Sequence, residues 1–157
     1  MPLNANIVAN GILNRGQRDA ISIEPMKLQK LIYLAHGWHL AFLNDGLVSQ
    51  EIEAWKYGPV IPEVYREFKE FKASPITRYA PVPANSIELS NVQNTLLDNV
   101  WDIYKDKSGI YLSMLTHESG SAWEIARRDC GAWYSPPIPN ALIRDEFLRR
   151  KQASEVR

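Results

Sequence analysis

Few residues in this chain have the types and spacing that chemistry needs. His36 and His39 stand three apart in a run with helical periodicity, which sets both imidazoles on neighbouring parts of one helix face. Joined by His117 and Glu118 from elsewhere in the chain, they would offer the nitrogen and carboxylate ligands that zinc favours. The spacing is not that of H-E-x-x-H, and no acid is placed to act as base. Hydrogen bonding in or near the core is therefore the favoured role, and no metal is expected. Cys130 beside one of the three histidines would make a nucleophile and base. No protease signature surrounds it, and a lone cysteine is commonly a small buried apolar residue. The eight glycines are scattered singly, so there is no phosphate-cradling loop, and no G-x-S-x-G elbow occurs. No catalytic residue and no cofactor are assigned.

Binding chemistry is better represented. Trp55-Lys56-Tyr57-Gly58-Pro59 gathers two aromatics, a cation and a rigid turn. Aromatic rings with polar tips are frequent anchors of protein interfaces, and a strand edge accepts a partner's strand. The alternative is that Trp55 and Tyr57 pack beneath helices while Gly58-Pro59 merely turns the chain. Lys27, Gln29 and Lys30 form either a polar contact site or ordinary solvated helix residues. The expected partner-binding set is Lys27, Lys30, Trp55, Lys56, Tyr57 and Pro59.

The elements that must position these residues are mostly helices. Asn4 or Asn6 caps a first helix carrying Ile7, Val8, Ile12 and Leu13, which frays near Gly16. From Met26 to Leu43, apolar residues recur at Leu28, Leu31, Ile32, Ala35 and Phe42, with Leu34, Trp38 and Ala41 as a second line. A stripe this wide predicts a central helix gripped on two sides, ended by Asn44-Asp45-Gly46. Ile52–Tyr57 is the best strand candidate, with Val48 paired to it and Gly58-Pro59 breaking it. Pro62 opens a helix to about Lys72. Pro75, Pro81 and Pro83 mark a long extended loop. Ser90–Gln93 and Ser121–Glu124 read as capping boxes, a short helix lies near Ile110–Thr116, and Asn140 caps a terminal helix. The expectation is a mainly α, compact single-domain multi-helix bundle over 1–157, with a small β-hairpin around residues 48–57 and a polar tail from about 150.

Lysines plus arginines number 18 and equal the aspartates plus glutamates, so no basic excess suits a phosphate backbone. The charge balance argues against nucleic acid as a partner. The start, Met1-Pro2-Leu3-Asn4-Ala5-Asn6, lacks a signal peptide's basic start and apolar core. No apolar run approaches the roughly 20 residues a membrane span requires. A soluble, cytoplasmic protein is expected, with no membrane partner.

Three stretches carry a family resemblance. Met26-Lys27-Leu28-Gln29-Lys30-Leu31-Ile32-Tyr33-Leu34-Ala35-His36-Gly37-Trp38-His39 resembles the first signature of the Panacea domain. Glu53-Ala54-Trp55-Lys56-Tyr57-Gly58-Pro59-Val60-Ile61-Pro62 resembles its second, and Leu115-Thr116-His117-Glu118 with Ala122-Trp123-Glu124-Ile125-Ala126-Arg127 its closing block. The three stand in the family's order and reach across most of the chain. Gln29, His36, His39, His117 and Glu118 are the polar members of those blocks. The resemblance implies an antitoxin, often phage-associated or carried on mobile DNA, that neutralises a cognate toxin by direct protein binding. Two other readings differ in what they predict. An adaptor handing a bound toxin to an ATP-dependent protease would shorten that toxin's half-life. A small metal-dependent hydrolase built on His36, His39 and His117 would hold stoichiometric metal. Self-association into a homo-oligomer is compatible with all three.

Overall fold

The computed structural model describes residues 2–128 and 134–155; Cys130 lies outside them. The first helix, α1 (Ala5–Asp19), starts at Asn4, whose side chain accepts the N–H of Asn6 at 2.9 Å. It does not fray at Gly16. A Cβ there would lie 2.7 Å from Ile23 Cδ1 and 2.9 Å from the Ile21 carbonyl, so the missing side chain lets the following segment fold back on the helix. Ala20, in the left-handed region, ends it.

Helix α2 (Pro25–Leu43) is the centre of the molecule. Its start carries Pro25 at a position where a missing N–H costs nothing. Burial runs almost without break from Lys27 to Leu40, around the whole circumference rather than along one stripe. This is why the apolar pattern is wide and why two lysines, a glutamine and two histidines are found inside it. Phe42, expected on the buried line, is exposed; its ring packs on Trp38 and lies near the Lys151 ammonium of the last helix.

Strands β1 (Glu53–Trp55) and β2 (Gly58–Val60) form an antiparallel hairpin, Glu53 opposite Val60 and Trp55 opposite Gly58. The mainly helical class with one small hairpin is as expected, but the partner strand follows β1 instead of preceding it. Gly58-Pro59 does not break the strand; it is the second strand. Val48 bridges Leu3 in parallel, with the Leu3 N–H on the Leu47 carbonyl and the Ser49 N–H on the Leu3 carbonyl, both at 2.8 Å.

Helix α3 (Pro62–Phe68) gives way to a 3₁₀ turn, Lys69–Phe71, and then to a segment from 72 to 90 without regular structure. Helix α4 (Asn91–Tyr104) carries the expected capping box in full: Ser90 Oγ accepts from Gln93 N and Gln93 Oε1 from Ser90 N. Helices α5 (Gly109–Thr116) and α6 (Ala122–Arg127) follow. At α6 only half the box forms: Ser121 Oγ accepts from Glu124 N, whereas Glu124 Oε1 reaches Gly120 N, one residue earlier than expected. Helix α7 (Asn140–Glu155) continues well into the polar tail. Asn140 is its first residue, and its side-chain oxygen meets His36 Nε2 at 2.9 Å, a tie to α2.

The core lies between α2 and the helices around it, with Leu28, Leu31, Ile32, Trp101, Ile143 and Phe147 all buried. In the α2–α7 seam, a Cβ at Gly37 would fall 2.3–2.5 Å from the Phe147 ring. Phe147 is fully buried and packs edge-on to Tyr33 and Trp38. Gly37→Ala must therefore expel that ring or part the helices, and is expected to lower stability by about 1–3 kcal/mol, read as a fall in the urea midpoint. A midpoint within error of the parent's would show that the seam is looser than its contacts.

Candidate functional site

A hairpin of two three-residue strands leaves most of its outward carbonyls without a ladder partner, and buried carbonyls are seldom left so. Here the surrounding helices supply the donors. Arg127 Nη1 donates to the Ala54 carbonyl at 2.7 Å and Trp123 Nε1 to Trp55 at 2.6 Å. His117 Nε2 lies 3.3 Å from the Lys56 carbonyl, and Ser113 Oγ donates to Tyr57 at 2.6 Å. Lys30 Nζ donates to Pro59 at 3.1 Å. Gln29 closes the series with a two-pronged bond: Nε2 to the Ile61 carbonyl at 3.1 Å, and Oε1 from the Ile61 N–H at 2.9 Å. The donors come from α2, α5, α6 and the turn after α5.

The clamp also closes both edges. Outside β1, the Ala54 N–H donates to the Pro136 carbonyl at 2.7 Å and the Ile138 N–H to Ile52 at 2.7 Å. Outside β2, Pro59 has no N–H, and its carbonyl is held by Lys30. Among the described residues, addition of a partner's strand, one expectation of the sequence, finds both edges of the hairpin already occupied. Gly58, at φ 120°, permits the turn, since a Cβ there would lie 2.7 Å from Lys30 Cε and 3.0 Å from Thr116 Oγ1.

Side chains expected at a partner surface separate into two groups. Lys27, Lys30 and Pro59 are buried. Lys27 Nζ donates at 2.6 Å to the carbonyl of Lys105, just past the end of α4, where a cation suits the helix dipole. Neither lysine is the solvated helix residue that charge alone suggests, because its amine is needed where the chain has an orphan carbonyl. Burial pushes the Lys30 ammonium down to about 8 and lowers Lys27 as well. Trp55 is half-buried, its ring 4.9 Å from that of Tyr65 and its Nε1 on Glu53 at 2.8 Å. Lys56 and Tyr57 are exposed, Tyr57 to 61 %, with Lys56 Nζ 5.4 Å from the Tyr57 ring centre. Tyr57 is thus not core, contrary to the packing alternative.

The histidines serve as connectors. His36 Nδ1 accepts from the N–H groups of Leu47 (3.1 Å) and Val48 (3.2 Å), which leaves the proton on Nε2 to donate to Asn140. Burial lowers its pKa and favours that neutral form. His39 Nδ1 donates to the Asp45 carbonyl at 2.6 Å, and His117 stacks on Trp123 with centroids 3.8 Å apart. Glu118 is exposed, 3.7 Å from Arg150. Among the described residues no three His, Cys, Asp or Glu side chains gather as metal ligands, so a hydrolase centre on His36, His39 and His117 is not assembled.

Beside the hairpin lies an apolar groove of about 400 Å³. Leu28, Val64 and Phe68 form its floor, and Tyr57, Tyr65 and Met26 its exposed rim. Trp55 and Lys56 stand on the hairpin side, Lys72 on the other. Tyr65 is 44 % exposed, with its ring against that of Trp55. The sequence drew no attention to Ser113 or Lys72 as site residues; neither belongs to a motif, and they meet the hairpin and its groove only through the fold.

All three signature blocks thus converge on one hairpin. A family model described as antitoxin SocA-like, Panacea domain, matches residues 28–124. Over 166 aligned residues the chain is 46 % identical to a protein of Caulobacter vibrioides (strain NA1000 / CB15N) named antitoxin SocA, across 98 % of this chain and 87 % of that one. The chain belongs to the SocA-like Panacea antitoxin family. No solved structure matches it. In this member the family blocks are first a set of donors and acceptors that rigidify one turn: Gln29 and Lys30 from the first, the carbonyls of Ala54–Ile61 from the second, His117, Trp123 and Arg127 from the third.

Two outcomes check this geometry. Gly58→Ala is expected to cost at least about 1–3 kcal/mol through its left-handed backbone and the collision with Lys30, and to shift the tryptophan emission as Trp55 and Trp123 lose register. Lys30→Met tests the buried ammonium. Its folded pKa of about 8 lies below its ordinary 10.5, so between those values the unfolded chain binds more protons. The parent should accordingly gain stability relative to Lys30→Met as the pH rises from about 8 to about 10.5. A pH-independent difference would place the amine in contact with water.

Proposed function

We propose that this protein is an antitoxin that neutralises its cognate toxin by direct binding, and that the toxin seats on the clamped hairpin and the groove beside it. One observation carries the reading: Lys56 and Tyr57 project into solvent from a turn whose flanking carbonyls, at Trp55, Tyr57 and Pro59, are tied from within by side chains of the surrounding helices. A binding surface gains affinity when its side chains are held in place before the partner arrives, because less ordering is left to oppose association. Trp55 and Tyr65, ring against ring, extend that surface into the apolar groove. Aromatic and cationic groups around a dry depression are the usual composition of an interface centre.

The chemistry asked of the site is recognition alone. Every ring nitrogen of His36 and His117 faces a partner of the chain's own, as does His39 Nδ1. A second apolar surface, around Phe42, Val92 and Ile103, has none of the clamped residues on it.

The experiment is co-expression with a toxin encoded beside this gene, scored for rescue of growth and for co-purification. Tyr57→Ala removes a mostly exposed side chain, so folding stability should change by no more than about 0.5 kcal/mol. Binding should weaken by about 2 kcal/mol, roughly 30-fold. Tyr65→Ala should act in the same direction. If both variants fold and rescue as well as the parent, the toxin seats elsewhere.

A further inference from the structure

The groove has a sign. Among the described residues, every charged one that lines it is a lysine: Lys30, Lys56 and Lys72. The acids nearby are turned to other tasks. Glu53 accepts from Trp55 Nε1, while Glu67 and Glu70 both hold Arg78. Lys30 sits beneath, buried, and among the described residues its ammonium meets the Pro59 carbonyl and no carboxylate. A positive charge without a counter-ion in a low-dielectric wall projects its field into the adjoining space. The chain as a whole is neutral, with 18 cations and 18 acids, so the local excess comes from placement.

The mode of recognition is restricted too. With Pro59 on one outer edge and Pro136 bound on the other, the occupant cannot dock through its backbone as an added strand. A C-terminal carboxylate is captured by converging N–H groups, whereas the turn here presents carbonyls, and those of Trp55 and Tyr57, which an N-terminal amine would need, already accept from Trp123 and Ser113. Recognition must come from side chains.

Resting on the reading that this face seats the toxin, we propose that the seated segment is acidic and amphipathic. Its apolar side chains enter between Tyr57, Tyr65 and Met26, and its Asp or Glu side chains meet Lys56 and Lys72 at the two sides, with Lys30 adding attraction from below. Charge of this kind sets partner choice and encounter rate more than total affinity.

The test uses short random-sequence peptides displayed on phage and selected on the immobilised full-length chain. The selected pool should be rich in Asp and Glu beside Leu, Phe and Trp. Its retention should fall about tenfold or more on a chain carrying Lys56→Glu and Lys72→Glu, both exposed positions, with circular dichroism confirming the fold. A pool of neutral or basic composition overturns the proposal, as does an acidic pool held equally by the charge-reversed chain, or no enrichment. Tyr57→Ala separates the two levels of inference. A neutral pool lost on Tyr57→Ala leaves the binding face standing and removes only its acidic preference. A pool indifferent to Tyr57→Ala removes the face itself.

Discussion

A buried carbonyl without a donor costs about 1–3 kcal/mol, more than a typical formed hydrogen bond contributes, and that asymmetry governs the organisation of this protein. The hairpin of β1 and β2 is too short to satisfy its own backbone. Ala54, Trp55, Tyr57, Pro59 and Ile61 each present a carbonyl that a side chain from another element meets. The donors are an arginine, an indole, a hydroxyl, an ammonium and an amide. Because the donor types differ in length and direction, each fixes one point of the turn, and the helices that carry them are fixed in return.

Helix α2 shows the consequence. A central helix surrounded on all sides would be expected to be uniformly apolar, yet Lys27, Gln29, Lys30, His36 and His39 are all buried in it. Each ends on a backbone group of a neighbouring segment: Lys105, Ile61, Pro59, Leu47 with Val48, and Asp45. Desolvating two ammonium groups opposes folding, as their lowered pKa values record. What it secures is the placement of loops that have no regular structure of their own.

Function follows from the contrast between a fixed backbone and free side chains. Strength of binding depends on how little must be ordered on association, and a turn tied at successive carbonyls has little left to order. The same ties that hold the turn also cover the edges of the sheet, which protects it from unintended strand pairing and directs recognition to the aromatic rim and its lysines.

Much of this was legible in the sequence. The periodicity from Met26 to Leu43, the box at Ser90–Gln93 and the prolines at 25 and 62 are local signals, set by backbone geometry and by neighbours a few residues away, and each gave its element. The three family blocks likewise announced Trp55, Lys56 and Tyr57 as residues to watch. Sequence could not say which of the signature's polar residues face outward. Lys30 and Lys56 are the same residue type in neighbouring blocks; one lies 29 residues from the carbonyl it serves, and the other projects from the turn. Burial of a charge depends on whether a distant backbone group needs a donor at that point in space, a fact that no local pattern encodes. The partner strand of β1 escapes a local reading for a related reason: Gly58-Pro59 reads as a break, yet Pro59 stands opposite Ala54, whose N–H goes to Pro136 and whose carbonyl goes to Arg127, so no ladder bond is asked of the proline nitrogen.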